Sequence, residues 1–328
     1  MLLIFSLSSF VLCGCIQEID VFSDSDSETL VIDGIVTNVP EKTKVRLSFA
    51  TEYNVSSDFS KFSGAEIKII DDLGNETNLN YTSFGFFRPD GFVGTIGRSY
   101  HLSLKLKNGD QYYSTAEEMQ PVATIDDLSF EREGNRLYFL VDFKDDPSVR
   151  NYYRWRYRGV YKVNSPLAPA DQQWCWVTAY DRETLVIEDD FVINGENITS
   201  MRVQSIELDQ KLQHGYSIRV DQQSLSEQAY EYWLAIKEQI ENGGTIFETP
   251  NYQITGNVYS ENNPEQLVLG YFGASAINSR RIFISDFVEY FPPLDCTPDP
   301  FSGKVLSRCL SCFNYGASST NIKPDFWP

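Results

Sequence analysis

Apolar and polar residues alternate one by one along much of this chain. In the run Val45–Phe49, for example, Val45, Leu47 and Phe49 are apolar, and the residues between them are Arg and Ser. The same alternation recurs around Ile67–Ile69 and Leu102–Leu106. Because successive side chains of a β-strand point to opposite faces, a period of two predicts strands with one buried and one solvated face.

Turn signals separate these strands. The signals are Asp71-Asp72-Leu73-Gly74-Asn75, Pro89-Asp90-Gly91 and Asn108-Gly109, and the last is the dipeptide typical of a two-residue hairpin. Residues 28–120 are therefore predicted to form a compact β-sandwich of about seven strands. Pro121 is predicted to begin a second domain, residues 121–328.

The second domain is also predicted to be mainly β. Phe139, Val141 and Phe143 lie two residues apart, which is typical of a half-buried strand. One amphipathic helix is predicted near residues 225–241. Ser224 and Glu227 have the spacing of a capping box, in which a serine at the N-cap is followed three residues later by a glutamate.

The first fifteen residues resemble a bacterial lipoprotein signal. Leu2–Leu12 is an uncharged apolar run that is too short to span a bilayer as a helix. Leu12-Cys13-Gly14-Cys15 resembles a lipobox, which predicts a signal peptide over residues 1–14 and lipidation of Cys15. No Lys or Arg precedes the apolar run, so translation is expected to begin upstream. Covalent diacylglycerol and a further acyl chain are expected on Cys15, and no other cofactor is expected.

Residues 15–27 are predicted to be a lipidated tether, since they are polar and acidic and contain no turn signal. Glu18 and Asp20 follow the lipidated cysteine closely and resemble the signals that export some Bacteroidetes lipoproteins to the cell surface. A solvated linker without such a signal is the alternative.

Four cysteines remain beyond the signal region: Cys175, Cys296, Cys309 and Cys312. An even number in an exported chain favours two disulfides, and the sequence leaves three pairings open. The spacing of Cys309 and Cys312 also fits half of a zinc site, although no second close pair accompanies it. Residues 295–328 have no regular period and are predicted to be an irregular tail held by disulfides.

The net charge argues against some partners. The chain carries 27 Lys and Arg against 46 Asp and Glu, for a formal charge of −19. A surface of this sign repels polyanions, so nucleic acid is not expected as a partner. Membrane attachment is expected through the lipid alone.

No enzyme motif is present, and the chain is predicted not to be an enzyme. His101 and His214 do not have a metal-binding spacing, and no nucleophile elbow, phosphate loop or dinucleotide motif occurs. The neighbouring acids Asp145-Asp146 and Glu188–Asp190 are predicted to be solvated turns. A calcium site or a pair of hydrolytic carboxylates is the alternative at these loops, and no metal site is predicted.

One strand and its neighbourhood combine positive charge with aromatic rings. Arg154, Arg156 and Arg158 alternate with three aromatic residues, and Trp174 and Trp176 follow. The aromatic residues are expected to fill a sandwich core, with a platform for sugar rings or a protein partner as the alternative. The arginines are predicted either to bind an acidic partner loop or to pair with nearby carboxylates.

Three passages resemble a Bacteroidetes outer-membrane lipoprotein family that bears a domain-of-unknown-function label. They are the helix with Glu248-Thr249-Pro250, the run from Gly256 to Phe272, and the ending Thr320–Trp327. The resemblance extends from about residue 28 to the C-terminus and implies an outer-membrane lipoprotein, frequently encoded near TonB-dependent receptors. The first domain also resembles the transthyretin-like or immunoglobulin-like modules that accompany those receptors.

These observations lead to one expected function and one alternative. The expectation is a lipid-anchored, non-enzymatic binding subunit of an outer-membrane complex, facing the cell surface, with a TonB-dependent receptor or other barrel as its partner. The alternative is a surface glycan-binding lipoprotein that serves nutrient uptake.

Overall fold

The computed structural model describes residues 29–50, 59–180, 185–191, 194–242, 254–285, 287 and 291–328. These residues form a mainly β protein, which confirms the predicted fold class. The signal sequence, Cys15 and the tether lie outside the described residues.

The strands, in chain order, are β1 Thr29–Thr37, β2 Lys44–Ala50, β3 Glu66–Asp71, β4 Glu76–Ser83, β5 Phe86–Pro89, β6 Ser99–Lys105, β7 Gln111–Ser114, β8 Glu117–Glu118, β9 Ile125–Glu133, β10 Arg136–Lys144, β11 Tyr152–Asn164, β12 Trp174–Tyr180, β13 Val186–Asp189, β14 Asn197–Glu207, β15 Tyr216–Leu225, β16 Val258–Ser260, β17 Leu269–Ser275, β18 Ile277–Ile284 and β19 Ser319–Thr320. The α-helices are α1 Glu227–Asn242 and α2 Ser307–Leu310. Short 3₁₀ helices cover Phe59–Phe62, Ala170–Gln172, Gln210–Leu212 and Cys312–Tyr315.

The first sandwich is one curled sheet of ten strands. Its order is β16-β7-β6-β3-β4-β5-β2-β1-β17, and β8 pairs with β6. The alternating apolar residues seen in the sequence point inward from both halves of this sheet, where Leu47 of β2 and Leu102 of β6 belong to one buried cluster. The Asn108-Gly109 turn joins β6 to β7, so the predicted hairpin is present, with Gly109 at a positive φ of 98°. The loop is longer than the predicted two residues, since the Leu106 N–H donates to the Asp110 carbonyl and residues 107–109 lie between them.

This sheet takes strands from two distant parts of the sequence. The strands β1–β8 lie within the predicted first domain, whereas β16 and β17 come from residues beyond 250. Strand β17 runs parallel to β1, and β16 runs antiparallel to β7. The two strands that complete the first sandwich therefore follow most strands of the second sandwich in the sequence.

The two end strands of the curled sheet meet at Asn257. Its side-chain amide accepts a hydrogen bond from the backbone N–H of Phe272 at 2.9 Å and donates one to the carbonyl of the same residue at 2.8 Å. Gly270 lies in β17 at a φ of 94°, where a Cβ would stand 2.1 Å from the carbonyl oxygen of Ile32. The motif from Gly256 to Phe272 thus closes the sheet.

The second sandwich packs a three-stranded sheet on a six-stranded sheet. The order is β14-β10-β9 in the smaller sheet and β18-β15-β11-β12-β19 in the larger one, where β13 also pairs with β11. Phe139 and Phe143 of β10 and Tyr153 and Trp155 of β11 fill the core between the sheets. The prediction that the aromatic residues of β11 are core residues is confirmed for Tyr153 and Trp155.

A single residue joins the two sandwiches after β17. Ser275 ends β17 in the first sandwich, Ala276 is fully buried, and Ile277 begins β18 in the second. Ser224 of β15 holds Ala276 in place: its hydroxyl accepts from the Ala276 N–H at 2.9 Å, and its own N–H donates to the Ala276 carbonyl at 3.0 Å. The one-residue connection and these two hydrogen bonds therefore fix the position of one sandwich relative to the other at Ala276.

Helix α1 packs beside this junction, and its N-cap differs from the predicted one. Ser226 is the N-cap, since its hydroxyl accepts from the N–H of Ala229 at 3.0 Å. The predicted cap, Ser224, lies in β15 because its hydroxyl is engaged by Ala276 and by the carbonyl of Gln120. The prediction of a helix near residues 225–241 is correct in place and in type. The predicted capping box is wrong, because the N-cap is Ser226, two residues after Ser224.

The tail from residue 295 is held as predicted, and the structure decides the pairing. Cys175 of β12 bonds to Cys312, and Cys296 bonds to Cys309. Because all four thiols form disulfides, none is left as a thiolate for the zinc alternative. The tail is not wholly irregular, since it contains the short helix α2 and pairs β19 with β12.

In the part of the chain that the structure describes, no helix has the length and apolar character needed to cross a bilayer.

We expect Asn257→Ala to lower the free energy of unfolding by about 2–4 kcal/mol, because it leaves two partly buried backbone groups of Phe272 without their partner. Urea unfolding followed by tryptophan fluorescence measures this. The matched control is Asn80→Ala, which removes an exposed amide bonded to Asp90 and should cost less than about 0.5 kcal/mol. Equal losses in the two variants would contradict the role given to Asn257.

Candidate binding site

The predicted binding residues lie on the outer face of the six-stranded sheet. In antiparallel pairs, directly opposite residues share a face. Arg156 is opposite Asp221 of β15, and Arg158 is opposite Arg219, which is in turn opposite Arg281 of β18. The register therefore places three arginines in a row across three neighbouring strands.

Arg154 differs from the other two predicted arginines because helix α1 packs on it. Its guanidinium lies 3.7 Å from the ring centroid of Trp233. Stacking of a planar guanidinium on an indole ring is a favourable cation–π contact. Arg154 thus attaches α1 to the sheet. Of the three predicted arginines, Arg154 makes this packing contact, whereas Arg156 and Arg158 are exposed.

Arg156 and Arg158 line a cavity between the two sandwiches. Its volume is about 590 Å³. The first sandwich supplies Lys42 and Lys44, which lie at the turn after β1 and the start of β2, and Arg88 of β5. This volume is within the usual range of small-ligand pockets, about 300–1,000 Å³.

Positive charge is concentrated around this cavity. Burial lowers the pKa of Lys44, and Arg156 lowers it further, whereas Asp33 raises it. Burial also lowers the pKa of Lys42, against the effect of Asp221. Repulsion among these cations is therefore present in the folded protein.

Arg281 extends this charged row beyond the cavity. Burial, followed by the charges of Arg219 and Arg158, lowers the pKa of Arg281 to about 10. The guanidinium of Arg281 lies 3.6 Å from the ring centroid of Phe326 in the tail, and it donates a hydrogen bond to the Ser217 hydroxyl at 2.8 Å. The end of the chain thus covers this part of the sheet.

Trp174 and Trp176 do not form a flat aromatic platform. Trp176 is buried, and the ring of Trp327 meets it edge-on with a centroid distance of 6.3 Å. Trp174 is 37% exposed and meets His214 nearly at a right angle. Stacked sugar binding by this pair is not favoured by its geometry, and the glycan-binding alternative stays a prediction.

His214 belongs to a second cavity of about 450 Å³ beneath the tail. Tyr161 of β11 and Tyr315 of the tail line the same cavity. Burial and the nearby charge of Lys162 lower the pKa of His214. The imidazole is therefore neutral at neutral pH and suits a packing role at the cavity wall. His101 lies in β6 opposite Ile70.

The loop acids differ from the predicted solvated turns. Asp145 and Asp190 are each only 1% exposed. Asp145 accepts hydrogen bonds from the Tyr153 hydroxyl at 2.5 Å and from the Gly195 N–H at 2.9 Å, and Asp190 accepts from the Asn151 N–H at 2.6 Å. These carboxylates are buried because they bind backbone and side-chain donors of the loops they connect.

The other acids of these loops are exposed or half-buried and have local partners. Asp146 accepts from Ser148, and Asp189 forms an ion pair with Arg150 at 3.1 Å. Within the described ranges, no group of three or more His, Cys, Asp or Glu side chains is arranged to hold a metal ion. The calcium alternative therefore has no such group among the described residues to support it.

Sequence reasoning identified Arg156 and Arg158 but missed their basic neighbours. Lys42, Lys44, Arg88 and Arg219 come from three other places in the chain. Only the folding of the turn after β1 onto the six-stranded sheet brings them together. The close spacing of Lys42 and Lys44 in a strongly acidic chain is a sequence signal that could have indicated these two lysines.

The family model described as "Domain of unknown function (DUF4249)" matches residues 16–281. This chain belongs to that family. The predicted resemblance to a family with a domain-of-unknown-function label is thereby confirmed. The matched range includes the first sandwich, most of the second, helix α1 and the basic cavity, and it ends within β18, before the disulfide-held tail.

The solved structures to which the chain is similar at low level include three proteins from Bacteroides and Parabacteroides. A DUF3823 family protein from Bacteroides ovatus is 14% identical, with 60% of this chain and 91% of that chain covered and a TM-score of 0.17. A putative carbohydrate binding protein from Bacteroides uniformis is 10% identical, with coverage of 62% and 92% and a TM-score of 0.17. A DUF3823 family protein from Parabacteroides merdae is 8% identical, with coverage of 59% and 89% and a TM-score of 0.15. Likeness at these TM-scores assigns neither a fold nor a ligand. No curated protein matches the sequence.

We expect Trp327→Ala to destabilise the protein by about 1–3 kcal/mol, less than the 3–5 kcal/mol typical of a fully buried tryptophan. The indole packs on Trp176 and Phe283, so its loss exposes both rings. Phe301→Ala is the matched control, since Phe301 belongs to the same tail and is 97% exposed. Denaturant unfolding of both variants checks this, and a control loss as large as that of Trp327→Ala would contradict the packing role.

Proposed function

We propose that this protein is a lipid-anchored, non-enzymatic binding subunit of an outer-membrane complex, facing the cell surface. Its partner is a TonB-dependent receptor or another outer-membrane barrel. The lipobox-like sequence ending at Cys15 supports the anchor, and Glu18 and Asp20 support export to the surface. Attachment through acyl chains needs no membrane-spanning segment.

The observation that carries the partner proposal is the apolar surface of the tail. Six large apolar side chains beyond residue 300 are exposed among the described residues: Phe301, Leu306, Leu310, Phe313, Ile322 and Phe326. Exposed apolar side chains concentrated in one segment are typical of protein contact surfaces. Two disulfides and the pairing of β19 with β12 hold this segment in place. A segment ordered before binding loses less conformational entropy when a partner docks.

The groups considered for catalysis have structural partners. Asp145 and Asp190 bind loop donors, the thiols form disulfides, and His214 has a lowered pKa in a cavity wall. These contacts support a protein that works by binding, because a general base or nucleophile must instead reach a substrate atom.

Cys15→Ser should abolish acylation and move the protein from the membrane to the soluble fraction, because the acyl chains are the expected membrane attachment. Mass spectrometry of the processed N-terminus and detergent phase partition measure this. Cys13→Ser is the control, since it changes the neighbouring cysteine but leaves the proposed lipid site, and its acylation should be unchanged. An unmodified Cys15 in the native protein would refute the anchor.

Phe301→Ala combined with Ile322→Ala should reduce the partner recovered with the protein at least about tenfold, as expected when contact-surface apolar residues are removed. The measurement is crosslinking in native membranes, followed by purification in mild detergent. Leu73→Ala is the control, because Leu73 is equally exposed but lies in the first sandwich. Recovery of the native protein alone, without any outer-membrane barrel, would contradict the complex.

A further inference from the structure

The cavity between the sandwiches has a charge opposite to that of the whole protein. Among the described residues that line it, six are basic and two are acidic. The basic residues are Lys42, Lys44, Arg88, Arg156, Arg158 and Arg219, and the acids are Glu41 and Asp221. In a chain with a formal net charge of −19, this concentration of cations is local and specific.

Both sandwiches contribute to the basic wall, and their relation is fixed. Ala276 and Ser224 join the bodies through the two hydrogen bonds described above. Asn38, in the turn after β1, accepts from the N–H of Ile277 at 2.7 Å. The cavity is therefore formed before any ligand enters, which lowers the entropic cost of binding.

Like charges lie next to each other in the cavity wall, and its described lining has fewer acids than cations. Arg158 and Arg219 are direct cross-strand neighbours, and like charges in this position are destabilising. The carboxylate of Asp221 lies among them and binds Lys42 at 2.8 Å and Arg219 at 3.1 Å. Glu41, the other acid of the wall, is exposed. An added anion would relieve repulsion that the folded protein retains.

We propose that this cavity binds a small ligand that carries at least two phosphate or carboxylate groups. The planar guanidinium group can donate two parallel hydrogen bonds to either a carboxylate or a phosphate. Because Lys44 and Arg88 face the cavity from one sandwich and Arg156 and Arg158 from the other, two anionic groups on one ligand would contact both walls. The cavity volume of about 590 Å³ suits a small molecule. This site goes beyond the proposed partner role and does not depend on the lipid anchor or on the tail.

The test is calorimetric titration of the full chain in detergent with pyrophosphate, citrate and acetate. Pyrophosphate or citrate should bind at least about tenfold more tightly than acetate, which carries one charge, and the affinity should fall as salt rises. A soluble short-chain phosphatidate distinguishes the source of a phosphate. If it displaces pyrophosphate, the group belongs to a lipid headgroup; if it does not, the group belongs to a free metabolite, and both results support the anion site.

The decisive variant is Arg156→Ala with Arg158→Ala. Both side chains are exposed, so the fold should be retained, and binding should weaken at least about tenfold. Lys105→Ala with Lys107→Ala is the matched control, since it removes two exposed cations that do not line the cavity and should leave affinity unchanged. Asp221→Asn should strengthen binding, because it removes the carboxylate that competes with the ligand.

Three results would overturn the proposal. One is the absence of measurable binding of pyrophosphate and citrate to the native chain. Another is an equal loss of affinity in the cavity variant and the lysine control, which would indicate general charge attraction. The third is tighter binding of a synthetic acidic peptide, residues 16–28, than of either small anion, which would assign the cavity to an acidic protein segment instead. A failure here leaves the tail and anchor experiments unaffected, so the two proposals are distinguishable.

Discussion

The passage of the chain through Ala276 is the constraint on which the arrangement of the two sandwiches depends. Strand β17 completes the first sandwich, strand β18 forms an edge of the second, and one buried residue separates them. A connection this short leaves no room for independent rotation. Ser224 fixes it further, because its backbone and hydroxyl satisfy both polar backbone groups of Ala276. Buried backbone groups need hydrogen-bond partners. The contact with Ser224 therefore satisfies the buried N–H and carbonyl of Ala276 and also fixes the connection between the two sandwiches.

The outer face of the six-stranded sheet follows from that constraint. Helix α1 covers one end of the face through Arg154 and Trp233, and the tail covers the other through Trp327. The turn after β1 approaches the middle without filling it, and the basic cavity remains. These three elements are held in place by different contacts. Helix α1 is held by packing, the tail by disulfides, and the turn by the hydrogen bond of Asn38 to Ile277 at the junction of the sandwiches. The cavity is thus a part of the face that helix α1 and the tail leave open.

Much of the fold could be predicted from local patterns because the patterns reflect burial. The alternation at Val45–Phe49 and the hairpin at Asn108-Gly109 are satisfied within one strand pair, so short stretches of sequence are enough to indicate them. The capping box shows the limit of this reasoning. Ser224 has the right spacing from Glu227, but a distant residue, Ala276, binds its hydroxyl, and Ser226 caps the helix instead. The disulfide pairing was open for the same reason, since it depends on which cysteines the fold brings within bonding distance.

By itself, the sequence determined that the chain is mainly β, where helix α1 lies, that the four cysteines beyond Cys15 form disulfides, and that β11 alternates charge with aromatic rings. These are mostly properties of single segments, and they depend on side-chain period, turn chemistry and the number of cysteines. Only the tertiary structure decided that residues beyond 250 complete the first sheet, that Asp145 and Asp190 are buried, and that Arg156 and Arg158 meet Lys42 and Lys44 around one cavity. The physical reason is that strand register and the docking of two sheets are set by contacts between residues far apart in the chain, and no local pattern encodes which distant partner a side chain will meet.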